Sequence, residues 1–217
     1  MKRAFFIFVL LLSLTFFFST QSYAVGDWTG NANFSIGNKV LDKDDWAVDE
    51  EGFKLELDTQ REVALNVDFG EKTWPIHIVI AYLGSSADDS MSEDVDIDGY
   101  AYTGKLTFKG STGELRLGIN KIWEPTSTIR PYIGGGFAMI SAEAKITASI
   151  AGVSASESDD DQAVGFYVNG GIYWTLAEHY NLGIDVGYSK AKVTFDKLYT
   201  DVEAGGAHYG VFLGYHW

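Results

Sequence analysis

The chain has 217 residues, with 30 acidic and 16 basic side chains and no cysteine. A formal net charge of −14 argues against nucleic-acid binding and against a peripheral protein held on anionic lipid by a basic patch. Without cysteine, neither a disulfide framework nor a lipid-modified N-terminal cysteine of the lipoprotein kind is available.

The first 24 residues have the pattern of a secretory signal peptide. Two basic residues precede an apolar run over 4–18, and Ser22 and Ala24 have the small-residue spacing that a signal peptidase needs. We expect cleavage after Ala24, which leaves one domain over 25–217 with 14 basic and 30 acidic residues, a net charge of −16. A retained membrane anchor is the alternative, although the apolar run is short for a spanning helix.

Stretches of alternating apolar and polar residues follow, and no apolar run after residue 24 reaches 18 residues. In the first stretch Phe34 and Ile36 alternate with Asn33 and Ser35, and a strand with a period of two places one set toward lipid and the other toward water. Eight strands are predicted in this way, over 28–37, 62–69, 74–83, 114–123, 129–142, 163–176, 180–189 and 208–217.

The connections between the predicted strands alternate between long and short. The long ones, mostly acidic, cover 38–60, 84–112, 143–162 and 190–205. Long outer loops and short periplasmic turns are typical of outer-membrane barrels. Within the long connections, 53–57 is predicted to extend the second strand, and 100–108 to form a hairpin that extends the third and fourth. A fifth hairpin, which would make ten strands, is the alternative.

Aromatic residues collect at the short-turn ends of these strands, where a membrane interface would favour an apolar body with a polar tip. A buried strand of a soluble β-sandwich is the alternative for any one stretch, but such a fold has no reason to place its tryptophans at one level. The predicted interface girdle consists of Trp28, Phe69, Trp74, Trp123, Tyr132, Trp174, Tyr180 and Trp217.

The last strand ends on an aromatic residue, and its alternate positions are apolar: Tyr209, Val211, Leu213, Tyr215 and Trp217. This ending, with the run Arg-Pro-Tyr-Ile-Gly-Gly-Gly-Phe over 130–137, resembles the small eight-stranded outer-membrane barrels grouped around outer membrane protein W, the opacity proteins and the membrane domain of outer membrane protein A.

The resemblance implies an all-β, antiparallel, up-and-down transmembrane barrel in the bacterial outer membrane. It also implies that the five alternate residues of the last strand act as a signal for the barrel-assembly machinery, and that the barrel contacts outer-membrane lipid and lipopolysaccharide. It does not imply one activity, because the relatives include hydrophobic-ligand channels, adhesins and structural tethers.

An eight-stranded barrel is wide enough only for its own side chains or one small ligand. Buried charges must pair, and Glu114, Asp185 and Asp68 are the acceptors available to Arg116. We therefore predict a lumen filled by side chains, with a narrow channel as the alternative. The predicted lumen network consists of Asp68, His77, Glu114, Arg116, Asp185 and His208.

No catalytic or cofactor-binding residue is predicted, and no cofactor is expected. None of the four histidines is followed by the serine of the His-x-Ser pattern of lipid A deacylase barrels.

Asp94, Asp96 and Asp98 are weak candidates for divalent-cation binding. Their spacing does not match an EF-hand loop, so we interpret this segment as a solvated acidic loop.

The sequence therefore predicts a monomeric, non-enzymatic barrel with a structural or surface-interaction role and acidic outer loops. The first alternative is a channel for small hydrophobic molecules, which a gap in the wall near 134–136 or an apolar funnel above His77 would favour. The second is a lipid-modifying or proteolytic barrel enzyme, which would need a histidine, a serine or aspartate, and an acid to converge at the outer rim.

Overall fold

The computed structural model describes residues 27–50, 53–97, 100–124, 126, 128–195 and 200–217, so the predicted signal peptide lies outside the described residues. Within these ranges there is one short helix, α1, over Lys43–Trp46. No described helix is long and apolar enough to cross a membrane. The described strands are β1 Trp28–Val40, β2 Ala47–Glu50, β3 Phe53–Glu56, β4 Thr59–Glu71, β5 His77–Ile97, β6 Tyr100–Ile122, β7 Ile129–Ile150, β8 Val153–Leu176, β9 Tyr180–Lys190, β10 Lys192–Phe195, β11 Thr200–Glu203 and β12 Gly206–His216.

Eight of these strands close into an antiparallel barrel in the order β1, β12, β9, β8, β7, β6, β5, β4. The seam between β1 and β12 runs from Asn31 opposite His216 to Val40 opposite Ala207. The predicted up-and-down barrel of eight strands is confirmed. The ten-stranded alternative is wrong, because residues 100–108 continue β6 and pair along β5 and β7 instead of adding a hairpin to the wall.

The wall follows the period of two in the sequence. Along β1, Phe34 and Ile36 point outward with 48% and 55% of their surface exposed, while Asn31 points inward and is 1% exposed. The same alternation places apolar side chains on the outside of the other barrel strands, among them Leu117, Phe137, Val168, Ile184 and Leu213. An apolar exterior around a polar interior is the arrangement that a lipid bilayer selects.

β5 to β8 continue beyond the barrel as a four-stranded sheet, which we call the outer sheet. β5 pairs with β4 only as far as Ser86 but with β6 as far as Ile97. β8 pairs with β7 from Val153 but with β9 only from Phe166. Residues 143–162, predicted as a connection, are therefore mostly strand, since alanine and isoleucine at alternate positions of β7 give that segment a period of two.

The first and fourth long connections each contain a small hairpin, formed by β2 with β3 and by β10 with β11. The prediction that 53–57 extends the second strand is wrong, because residues 53–56 pair with 47–50. The Leu57 N–H donates to the Trp46 carbonyl at 3.0 Å, which directs the chain toward α1 before β4 begins.

An apolar cluster lies at the end of the barrel that carries the long connections, and we call it the mouth plug. Trp46 packs edge-on against Phe195, with ring centroids 6.4 Å apart, and its Nε1 donates to the Glu203 carbonyl at 2.9 Å. The first and fourth connections therefore pack together over the lumen. The plug consists of Leu41, Trp46, Leu57, Ala138, Ile140, Ala142, Tyr167, Ala191, Val193, Phe195, Val202 and Ala204.

Candidate functional site

The lumen brings together ionisable side chains from seven barrel strands, and it contains all six residues of the predicted lumen network. They form two polar layers. The outer layer, beneath the mouth plug, includes Glu114, Arg116 and His208. The inner layer, toward the short turns, includes Asp68 and His77. Asp185 lines a cavity in the lumen.

Glu114 is the centre of the outer layer. Its Oε1 accepts from Lys39 Nζ at 2.7 Å, and its Oε2 accepts from Arg116 Nε at 3.0 Å and from Nη2 at 2.8 Å. Lys39 and Glu114 are 0% and 1% exposed, so this is a fully buried ion-pair network. Of the three acceptors considered for Arg116, Glu114 is the partner observed.

His208 extends the outer layer to a second carboxylate. Its Nδ1 lies 2.7 Å from Glu62 Oε2, and its Nε2 lies 2.9 Å from Arg116 Nη2. Because a guanidinium N–H can only donate, Nε2 accepts and the proton is on Nδ1, directed at Glu62. The imidazole is then neutral, and the charges of Lys39 and Arg116 balance those of Glu62 and Glu114.

Sequence reasoning missed Lys39 and Glu62. Both continue the inward-facing set of their strands, since Lys39 follows Asn31 and Asn33 at even spacing and Glu62 precedes Asp68 in the same way. The predicted first strand ended at residue 37, two residues before the lysine. For Lys39 the alternation required only a longer first strand, whereas Glu62 already lay in the predicted second strand, on its inward-facing set.

The inner layer is a polar network that closes the other end of the lumen. Asp68 Oδ1 lies 2.7 Å from His77 Nδ1 and accepts from Asn31 Nδ2 at 2.9 Å. Asn181 Nδ2 donates to Asn31 Oδ1 at 2.8 Å, and Arg130 Nη1 lies 3.0 Å from His216 Nε2. Hydrogen bonds among amide, carboxylate, imidazole and guanidinium groups therefore cross the barrel at this level.

Tyr132 does not lie in the interface girdle, which corrects that part of the prediction. Its hydroxyl donates to Asp185 Oδ2 inside the lumen, and its ring lies 6.0 Å from that of Tyr173. The neighbouring Ile133 points outward and is 56% exposed. Proximity to the short turn suggested the girdle, but the alternation along β7 places even-numbered residues inside.

The other predicted girdle residues lie at the short-turn end of the barrel. Trp28 packs against Trp74, with ring centroids 5.4 Å apart, and against Phe69 at 6.1 Å. Tyr180 packs edge-on against Tyr215 at 6.2 Å. The members with exposed side chains are Trp28, Trp74, Trp123, Trp174, Tyr180 and Trp217.

The five alternate residues of the last strand all point outward and are exposed: Tyr209, Val211, Leu213, Tyr215 and Trp217. The pairing continues through the final residue, because Trp217 N donates to the Gly30 carbonyl at 3.1 Å and the Gly30 N–H donates to the Trp217 carbonyl at 3.3 Å. Their proposed role in assembly stays a prediction.

A serine, a histidine and a glutamate converge in the outer layer, in the order that a hydrolase triad would need. Ser189 Oγ lies 2.9 Å from His208 Nε2, while Nδ1 contacts Glu62. However, Ser189 is 0% exposed and its hydroxyl donates to Glu114 Oε1 at 2.8 Å. His208 Nε2 already accepts from Arg116, so this nitrogen is not free to act as a base. The arrangement is a structural hydrogen-bond network.

Among the described residues, no group of three or more histidine, aspartate or glutamate side chains has the arrangement of a metal site. Asp94 is exposed on the outer sheet and accepts from Thr103 Oγ1 at 2.9 Å. The side chain of Asp96 and the whole of Asp98 lie outside the described part of the chain.

A cavity of about 50 Å³ lies in the lumen, and polar side chains from both layers border it. Its lining includes Arg116 and Glu62 from the outer layer and Asp68 from the inner layer. The wall beside it is continuous at 134–136, because these residues pair with 118–120 on one side and 167–169 on the other.

No protein-family model matches the chain, and no curated protein is significantly similar to it. Solved structures do match. The outer membrane protein OprG from Pseudomonas aeruginosa is 11% identical over 88% of this chain and 96% of its own, with a TM-score of 0.51. Neisserial surface protein A is 12% identical over 87% and 96%, with a TM-score of 0.44. Ail, the attachment invasion locus protein of Yersinia pestis, is 14% identical over 88% and 99%, with a TM-score of 0.42.

The fold, the apolar exterior and the polar interior define an integral membrane protein of the small eight-stranded outer-membrane β-barrel class. The protein is therefore located in the bacterial outer membrane, as the sequence predicts. At these identities the similarity to OprG extends to the fold alone.

Proposed function

We propose that this protein is a closed outer-membrane barrel with a structural or surface-interaction role and without catalytic activity. One observation carries the proposal. The outer polar layer, centred on Glu114, is fully buried across the lumen and lies beneath the mouth plug. A buried ion pair whose members satisfy one another is costly to open, since separation would leave each charge desolvated and alone.

The outer sheet supports the surface-interaction part of the proposal. Its outer strands are acidic, with Asp88, Asp89, Glu93 and Asp94 on β5 and a run of three aspartates over 159–161 on β8. Charged strands at the margins of a sheet discourage pairing between copies. We therefore propose a monomer that is embedded in outer-membrane lipid and presents an acidic surface beyond the lipopolysaccharide.

Single-channel conductance in planar bilayers tests the closed lumen. The protein is first shown to be folded by its shifted mobility in unheated gels. We expect no discrete steps from the folded barrel, because two polar layers and the mouth plug obstruct the path.

Reproducible steps from the folded protein would contradict this proposal and make transport the leading function. The Gly183→Ala variant identifies the path in that case. A Cβ at Gly183 would lie 2.6 Å from Phe212 Cζ, inside the lumen, so steps through the lumen would be reduced or lost. Steps that are unchanged in this variant would arise from a contaminant or from a route outside the barrel.

A further inference from the structure

Of the three carboxylates that line the lumen cavity, Asp185 is the one without a basic side chain in contact among the described residues. Glu62 contacts His208 and Asp68 contacts His77, each at 2.7 Å. Asp185 receives hydrogen bonds only from the Tyr132 hydroxyl and from Asn169 Nδ2, and no described lysine, arginine or histidine contacts it. Because a carboxylate withdrawn from water is costly without a counter-charge, a cation in the cavity would stabilise the charged form of Asp185.

The same cavity is lined by amide oxygens that no protein group satisfies. The side-chain oxygens of Asn66, Asn120 and Asn169 are buried and make no hydrogen bond within the described part of the chain. Asn120 and Asn169 are 3% and 8% exposed. Buried acceptors without a donor are rare in folded proteins, and three around one cavity indicate a bound species that offers positive charge or protons.

Gly134 allows two of these oxygens to lie close together. It lies opposite Asn120 on β6 and Asn169 on β8. A Cβ added to Gly134 would lie 1.8 Å from Asn120 Oδ1 and 2.8 Å from Asn169 Oδ1, so the two acceptors approach each other where this residue has no side chain. Two neighbouring acceptors repel each other unless a donor or a cation in the adjoining cavity binds them.

The charge around the cavity indicates the valence of the ligand. Arg116 also lines it, but two of its nitrogens are bound by Glu114, so its charge is compensated. The carboxylate of Asp185 is therefore the charge at the cavity that a bound cation would balance. Carbonyl oxygens can replace the hydration shell of an alkali cation. A water molecule occupies roughly 10–15 Å³ on the same measure, so a cavity of about 50 Å³ accommodates one ion with some of its waters.

We propose that the lumen cavity binds one monovalent alkali cation, Na⁺ or K⁺, through the carboxylate of Asp185 and the side-chain oxygens of Asn66, Asn120 and Asn169. The site goes beyond the structural role proposed above. It does not depend on that role, because a cation is bound here whether or not the lumen conducts.

Thermal unfolding of the full barrel tests the site. The protein is refolded in detergent in NaCl, in KCl, or in N-methyl-D-glucamine chloride of equal ionic strength and pH, since an enclosed site exchanges slowly with solvent. The bulky organic cation cannot enter the cavity. We expect Tm in the better alkali salt to exceed that in the organic salt by about 3–6 °C when the ion is at ten times its dissociation constant.

Two aspartate variants show whether the difference in Tm between the salts arises at Asp185. Asp185→Asn keeps an acceptor for Tyr132 but removes the charge, so the difference in Tm between the salts is expected to vanish. Asp94→Asn removes one charge from the exposed outer sheet and is expected to keep the difference. Equal Tm values for the unmodified barrel in all three salts would overturn the proposal and assign the cavity to water or to a protonated Asp185.

A gain-of-function variant keeps the test decisive if Asp185→Asn fails to fold. Asn120→Asp adds a second carboxylate to the lining of the cavity, so the preferred ion is expected to change from monovalent to Ca²⁺, which raises Tm at millimolar concentration.

Thallium provides a direct readout of the bound ion. Crystals grown with Tl⁺ are expected to give one anomalous peak within contact distance of Asp185. A folded Asn120→Asp barrel without a response to Ca²⁺, together with no thallium peak, would exclude the site.

Discussion

At the scale of single residues, the lumen depends on Glu114. This carboxylate accepts from Lys39, Arg116 and Ser189, which come from three different strands. Removal of its side chain would leave two buried cations without a carboxylate in contact. A buried ion pair adds little net stability when intact but is strongly destabilising when only one partner is removed.

We therefore expect Glu114→Ala to lower the free energy of unfolding by about 3–5 kcal/mol. Glu124→Ala is the matched control, because Glu124 pairs with Arg130 at 3.4 Å but its side chain is 62% exposed. An exposed pair contributes only about 0–1 kcal/mol. Urea unfolding in lipid vesicles measures both variants, and equal losses would contradict a special role for the buried network.

The sequence predicts which lumen side chains point inward, but not all of the contacts that they make. The inward direction of Asp68, Glu114, Arg116 and His208 follows from alternation alone. The contacts of Glu114 with Lys39 and of Arg116 with His208 do not, because they depend on the stagger between different strands, which a single sequence does not encode locally. Tyr132 was misplaced for a related reason, since distance from a turn gives the level of a residue along the barrel but not its face.

At the scale of elements, the two hairpins of the first and fourth connections behave as one unit. Trp46 of α1 contacts both the backbone of Glu203 and the ring of Phe195. The sequence offered no basis for this unit, because Trp46 and Phe195 each lie among polar and charged residues in separate long connections. Only their packing over the barrel rim shows which apolar residues belong together.

Phe195→Ala tests this unit. The ring is buried in the mouth plug, so its loss is expected to cost the local structure about 3 kcal/mol, which increases transient opening about 100-fold. Limited proteolysis within 190–205 on intact cells measures that opening. The global unfolding midpoint is expected to change little, because the wall does not depend on the plug.

Thr194→Ala is the control for this experiment, since Thr194 lies next to Phe195 on the exposed face of the same hairpin. Thr194→Ala removes the exposed hydrogen bond from Thr194 Oγ1 to Asp201 Oδ1 (2.8 Å) but no buried apolar surface, so its proteolysis rate is expected to stay close to that of the unmodified protein. If Phe195→Ala instead unfolds the whole barrel with no separate loop opening, the plug is an integral part of the wall and not an independent unit.

At the scale of the whole molecule, the apolar outer face of the barrel shows that the protein spans a lipid bilayer. Leu117 lies on the outer face of β6, is 58% exposed, and stands between the girdle level of Trp123 and the outer sheet. A charged side chain at this depth would meet hydrocarbon on every side. The alternation that predicted this exterior was the strongest signal in the sequence, because the bilayer acts on every outward residue in the same way.

Leu117→Arg is expected to lower the free energy of unfolding by about 2–4 kcal/mol in phospholipid vesicles. Ser90→Arg adds the same side chain to the exposed outer sheet and is expected to have little effect. Denaturant titration of tryptophan fluorescence compares the two variants. An equal tolerance of both substitutions would contradict the placement of the bilayer across the middle of the wall.

The seam between β1 and β12 has a consequence for the order of folding. The hydrogen bond from Thr29 Oγ1 to the Trp217 carbonyl joins residues 188 positions apart. Closure of so long a loop comes at a high entropic cost and is slow, whereas each hairpin along the wall can pair with its immediate neighbour. Until the final strand arrives, the growing sheet has two unpaired edges at the membrane. The last step of folding is therefore the meeting of the two strands most distant in the chain, and the nascent barrel must be shielded until that step is complete.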